Sequence, residues 1–169
     1  SAREERSHLE LTCGYAETIL DLVDQFESAE SVNTLDTHAS QALSSGGVLR
    51  AGIFQHPLDE GEARLTYEVS VPELAEGDRA ALSFSAGLRD GVDFDDDERA
   101  PDGVLCGIEA DGSRLLEFTV GDAGWRPFAV DLTSYSGTTV RLALVTDADG
   151  TSSYDWLVWG APVVYHLRA

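Results

Sequence analysis

The stretch Val104-Leu105-Cys106-Gly107-Ile108-Glu109-Ala110-Asp111-Gly112-Ser113-Arg114-Leu115-Leu116-Glu117-Phe118-Thr119-Val120 decides the fold. Val104, Cys106 and Ile108 alternate with Leu105, Gly107 and Glu109, the period of two that belongs to a strand with one buried face. Leu116, Phe118 and Val120 repeat the pattern. Between the runs stands Asp111-Gly112, a pair suited to a tight turn in which both residues take positive φ. The segment reads as a β-hairpin.

The same device extends outward on both sides. Upstream, Leu65, Tyr67, Val69 and Val71 oppose Arg64, Thr66, Glu68 and Ser70, and then come Ala80, Leu82, Phe84, Ala86 and Leu88. Downstream follow Phe128, Val130 and Leu132, and then Val140, Leu142 and Leu144. The final run, Tyr154 to Tyr165, is aromatic and β-branched, broken by Gly160 and Pro162. Leu9, Leu11 and Cys13 are a candidate first strand. That makes roughly eight or nine strands, with no long helical crossover between them, which argues against a parallel sheet. One apolar face per strand implies two sheets packed face to face. The expected fold is all-β, an antiparallel two-sheet β-sandwich. A short N-terminal helix is an option, because Ala16, Ile19, Leu20, Val23 and Phe26 fit a helical stripe; a strand through Leu20 and Leu22 stays open. Asn33 to Gly47 is rich in Ser, Thr and small residues and reads mostly as loop.

At 169 residues the chain suits one domain. Residues 1–14 read as an arm or linker and 15–169 as a single sandwich. Apolar residues at 43% and charged residues at 25% exclude wholesale disorder. Eleven basic against 31 acidic side chains give a net charge of −20. Such a surface repels phosphate backbones and anionic lipid, which argues against nucleic acid as a partner, and no apolar run is long enough for membrane insertion. Every basic residue is Arg, while Lys and Met are absent. A GC-rich genome accounts for this, as does adaptation to high salt; the missing Met leads us to expect a processed form or an excised domain. Cys13 and Cys106 match no zinc or redox spacing. Cys106 falls on an apolar strand face, where a thiol packs as a small hydrophobe. A Cys13–Cys106 disulfide, which would fit secretion, is the other option.

The second half of the chain carries further punctuation: Asp102-Gly103-Val104, Asp111-Gly112, Trp125, Asp131-Leu132-Thr133-Ser134-Tyr135-Ser136-Gly137 and Asp155-Trp156-Leu157-Val158-Trp159-Gly160-Ala161-Pro162. Upstream, His56-Pro57 and Gly87-Leu88-Arg89-Asp90-Gly91 fit the same layout. Over about residues 48 to 165 this pattern resembles the galactose-binding-like jelly-roll modules of bacterial glycoside hydrolases and surface proteins. It is similar in particular to the carbohydrate-binding modules known as NPCBM. The resemblance implies a jelly-roll sandwich that binds sugar without catalysis. The NPCBM ending carries a further acidic or His residue between its Asp and Trp, where this chain has only Trp156-Leu157-Val158.

Sugar binding in water needs an aromatic plate for the apolar face of the ring and a few fixed polar groups for the hydroxyls. Trp125 is the best plate, because it follows the loop signal Gly121-Asp122-Ala123-Gly124 and precedes Arg126. The competing reading folds Trp125 back over a sheet edge. Arg89, Asp90 and Arg126 are the hydrogen-bonding candidates. Trp156 and Trp159 fall on opposite faces of one regular strand, with core packing the leading expectation for each. Asp155 is expected to hold a turn by accepting from backbone amides. Asp93, Asp95 and Asp97 have spacing that a structural Ca²⁺ could use, although the EF-hand pattern fails at Glu98 and Val104. A solvated acidic loop is the alternative, and no cofactor is required. His8, His38, His56 and His166 are scattered and match no nucleophile motif, so the chain is read as a non-enzyme.

Two functions follow as expectations. The first is an extracellular carbohydrate-binding module, with sugar held by loops at one end of the sandwich. The alternative is a structural or assembly domain of a cell-surface or secreted protein, contacting neighbouring domains or copies of itself.

Overall fold

A computed structural model of the chain describes residues 16–91, 102–148, 150, 152 and 154–169. Its strands are β1 (Ala16–Asp21), β2 (Glu30–Val32), β3 (Thr34–Ser45), β4 (Val48–Pro57), β5 (Ala63–Ser70), β6 (Arg79–Leu88), β7 (Val104–Ala110), β8 (Ser113–Val120), β9 (Arg126–Asp131), β10 (Thr139–Asp147) and β11 (Leu157–Leu167). They form two antiparallel sheets. The first runs β3-β4-β11-β6-β9, with β1 also on β11, and the second runs β2-β5-β10-β7-β8. The fold is the all-β sandwich that the alternation predicts.

The inward faces are the ones the sequence marks. Leu65, Tyr67 and Val69 of β5, Leu82, Phe84 and Leu88 of β6, and Cys106 and Ile108 of β7 are all buried in one core. Trp159 joins them, edge-on to Phe84 at 5.3 Å and to Phe118 at 6.1 Å. Asp111 and Gly112 turn the β7–β8 hairpin with φ of 49° and 82°, as that dipeptide demands. Strand β11 is central, with β6 along one edge. Its other edge is shared, Leu157 to Gly160 pairing with β4 and Val163 to Leu167 with β1. The switch falls at Ala161-Pro162, where Ala161 has φ of 44° and the β6 register slips. Proline has no N–H for the ladder, so a bulge there costs no pairing.

Three readings change. The helix considered over the N-terminal segment is strand β1, and helical turns among the described residues are limited to Phe26–Ser28 and Thr133–Tyr135. The stripe of Ile19, Leu20 and Val23 was compatible with either period; the backbone groups along β11 decide it, because a strand satisfies them and a helix leaves them unpaired. The segment read as loop, Asn33 to Gly47, is mostly strand β3. As an edge strand it faces solvent along much of its length, so it needs no alternation of large apolar residues. Cys106 is a free, fully buried thiol whose Sγ donates to the Val104 carbonyl at 3.6 Å; Cys13 lies outside the described residues.

The registers place the β4–β5, β6–β7, β8–β9 and β10–β11 connections at one end of the sandwich. The site is built there.

Candidate functional site

The β3–β4 hairpin folds its tip back over the outward face of the first sheet. Ser45 Oγ donates to the Leu88 carbonyl at 2.6 Å and accepts from the Gly124 amide at 2.8 Å. The Asp90 carboxylate accepts from the Gly46 and Gly47 amides at 2.7 and 2.9 Å and from the Ser44 hydroxyl. These donors, the hydroxyl above all, hold Asp90 below the usual carboxylate range. The close approach needs Gly87, since a Cβ there would stand 2.5 Å from both the Gly124 carbonyl and Ser45 Oγ.

Beneath and beside the tip lies a second, smaller apolar cluster. Leu43, Phe54 and Val158 are buried in it, with Trp125 and Trp156 half-buried against them. The Trp125 ring rests on Gly160, where a Cβ would stand 2.6 Å from it, and its indole N–H donates to the Val48 carbonyl at 2.8 Å. Arg50 places its guanidinium 5.5 Å from that ring and donates to Ser85 Oγ at 2.8 Å. His38 stacks on Phe54 at 5.0 Å, Arg89 lies over the same ring at 5.5 Å, and His56 meets it edge-on at 6.3 Å. Tyr154 tilts against Trp156 at 5.2 Å. The face thus combines aromatic plates with hydrogen-bonding cations, a composition suited to a ligand with one apolar side and many hydroxyls.

The structure brings Trp125, Arg89 and Asp90 to this face, with the Asp90 oxygens already engaged. Arg126 turns the other way, to the mouth between the sheets, where it lies 5.3 Å from the Phe128 ring and donates to the Thr119 carbonyl at 3.0 Å. Arg126 and Trp125 share a groove of about 350 Å³ formed by the β8–β9 loop. Asp93, Asp95 and Asp97 lie outside the described residues. Among the described residues no group of three or more His, Cys, Asp or Glu side chains could hold a metal ion.

Asp155 requires a correction. Its side chain accepts from no backbone amide; both carboxylate oxygens are buried without a hydrogen-bond partner. The turn is made instead by backbone bonds, Trp156 N to Tyr154 O and Leu157 N to Asp155 O at 2.8 and 3.0 Å, with Tyr154 at φ of 59°. Burial first, and then the neighbouring Asp102 and Asp59 carboxylates, push the Asp155 pKa up to about 8. Asp59 is itself engaged, accepting from the Ser152 amide at 2.7 Å, while His56 donates to the Ser152 carbonyl at 2.7 Å.

Trp156 is the residue that sequence reasoning assigned to the core. Trp159 is buried as expected, and the opposite-face rule places Trp156 outward. Glycines inside strand runs, Gly52, Gly87 and Gly160, were the available signal, since they mark close approach of other chain segments.

No family model matches the sequence, and no curated protein matches it. Solved structures do. A CBM51-2 module with INT domains from Clostridium perfringens ZmpB, in complex with GlcNAc, is 18% identical with a TM-score of 0.59, over 86% of this chain and 31% of that one. This chain therefore spans less than a third of that structure. A CBM51 from Clostridium perfringens GH95, in complex with methyl-galactose, is 16% identical with a TM-score of 0.55, over 86% of this chain and 98% of that one. A Stig cyclase, Fisc from Fischerella sp. TAU, in complex with an indole compound, is 12% identical with a TM-score of 0.56, covering 90% and 91%. The chain has the galactose-binding-like jelly-roll fold of carbohydrate-binding modules, a fold that a cyclase shares.

Proposed function

We propose that this chain is a non-catalytic carbohydrate-binding module of an extracellular protein. The observation that carries the reading is the outward face of the first sheet, where half-buried Trp156 and Trp125 adjoin Arg89, Arg50 and His38. In this reading Trp156, steadied by Tyr154, takes the apolar face of a sugar ring. Arg89 and His38 donate to its hydroxyls. Trp125 and Arg126 extend the site into the adjoining groove. Asp90 serves by fixing the hairpin tip. The fold shared with modules solved with GlcNAc and methyl-galactose supports this assignment.

The test is calorimetric titration against a broad panel of soluble oligosaccharides, with Trp156→Ala as the control. Saturable binding of at least one glycan is expected, weakened roughly tenfold in the variant, because a lost ring stack is worth about 1 kcal/mol or slightly more. Absence of binding across the panel overturns the proposal. Equal affinity in the variant removes this face from it.

A further inference from the structure

We infer that the glycan recognised at this face is acidic, carrying a carboxylate or sulfate group that the arginines bind; this rests on the carbohydrate-binding reading above. The observation is how the arginines are distributed. Acidic side chains outnumber basic ones 31 to 11, so carboxylates are plentiful partners for an arginine on this surface. Arg64, Arg114, Arg141 and Arg168 use them, each pairing with glutamate. Arg50, Arg79, Arg89 and Arg126 do not; among the described residues none of the four forms an ion pair. Three of these, Arg50, Arg89 and Arg126, lie instead over an aromatic ring, that of Trp125, Phe54 or Phe128, whereas Arg79 stands at the far end of β6.

All three border the candidate site. Arg50 and Arg89 stand on the aromatic face, and Arg126 stands in the groove beyond Trp125. Among the described residues the local carboxylates leave them unmatched: Asp90 is taken by Ser44, Gly46 and Gly47, Asp36 faces His38 at 3.6 Å, and Asp122 lines the groove without pairing to any of the three. A guanidinium stacked on a ring has its plane fixed while its N–H edge stays available. Its fork of donors matches the two oxygens of a carboxylate or sulfate. Arg50 spends one donor on Ser85 and Arg126 one on Thr119, and the Arg89 guanidinium makes no hydrogen bond among the described residues. The net charge of −20 repels free anions at long range, but that field is screened within about 8–10 Å at physiological salt. An anion delivered on a sugar that stacks on the aromatic face avoids most of it.

The experiment titrates the full chain with three probes of matched length: an oligogalacturonate, a sulfated galacto-oligosaccharide and a neutral galacto-oligosaccharide. Wild type, Arg89→Gln, Arg50→Gln and Trp156→Ala are compared. At least one acidic probe is expected to bind tenfold or more tighter than the neutral one. Arg89→Gln or Arg50→Gln should collapse that ratio toward one, and Trp156→Ala should weaken every probe that binds. The two acidic probes separate carboxylate from sulfate as the preferred group. Neutral sugar bound as tightly as both acidic probes overturns the inference and leaves the carbohydrate reading standing. Failure of all three probes, extended to the broad panel, overturns both.

Discussion

The two outward faces of the sandwich use the same residue type in opposite ways. On the second sheet, Arg64 and Arg114 are locked into a ladder with Glu62, Glu109 and Glu117, the Arg114 contacts running 2.7 to 3.0 Å. Glu109 is nearly buried there and tolerates it, because Arg64, with Arg114 behind it, holds its pKa below the ordinary range. At the loop end of the first sheet the charges are kept apart. Arg50, Arg89 and Arg126 lie on rings, while Asp155 is buried with no cation to meet it among the described residues. A saturated ion-pair network is self-sufficient. Arginines that stand beside aromatic plates without a carboxylate among the described residues keep N–H donors free, which is what the proposed site uses.

The largest test of that contrast is pH. Folded Asp155 keeps its proton to about pH 8, whereas an unfolded aspartate releases it near 3.8. Between those values the folded state holds the extra proton. The stability it contributes is therefore complete at low pH and is lost as pH rises toward 8, at up to about 1.4 kcal/mol per pH unit. Glu109 has the reverse sign; its contribution is present above an ordinary glutamate pKa and is lost as pH falls. Denaturant unfolding at pH 5, 7 and 9 should show wild type weakening across the series and Asp155→Asn weakening much less. Identical slopes would mean that the buried carboxylate is not the source.

A smaller effect separates the faces by packing. Alanine at Gly87 drives a Cβ against the Gly124 carbonyl and Ser45 Oγ, so the hairpin tip must lift; destabilisation of about 1–3 kcal/mol is expected, with loss of glycan affinity. Alanine at Gly107 meets the Arg114 side chain from Cδ to the guanidinium, and moving it breaks the ladder that holds Glu109, so about 1–3 kcal/mol is expected there too, with affinity unchanged. Unchanged affinity in the Gly87 variant, or lost affinity in the Gly107 variant, would show that the tip is not pinned as described.

Much of the fold was legible because period two is a local property. Strands β5 to β11 follow from which side chains alternate, and the Asp111-Gly112 turn from its φ requirement. Strand β1 is one of two open readings of its segment and β3 reads as loop, because their conformation is set by an edge of another strand far away in sequence. The site divides in the same way. Trp125 announced itself by its loop and Arg89 by its neighbours, but Trp156, His38 and Phe54 are gathered by the β3–β4 and β4–β11 registers, and the hairpin tip closes beside them by a long-range fold-back recorded in the sequence by little more than Gly87 and Gly160. Asp155 looked like a turn residue because exposed aspartates usually are, and burial is not written in a single residue.

The three tryptophans allow the central claim to be tested in one spectrum. Trp159 donates its indole N–H to Gln55 inside the core at 2.8 Å, Trp125 donates to Val48 at the hairpin tip, and Trp156 lies half-buried on the outward face. Indole N–H resonances followed through a titration with a bound glycan should show the largest saturable shift at Trp156, a smaller one at Trp125 and none at Trp159. Saturable binding that leaves Trp156 unmoved and instead perturbs Ile19, Asp78 and His166, around the cavity of about 470 Å³ at the opposite end, would contradict the account.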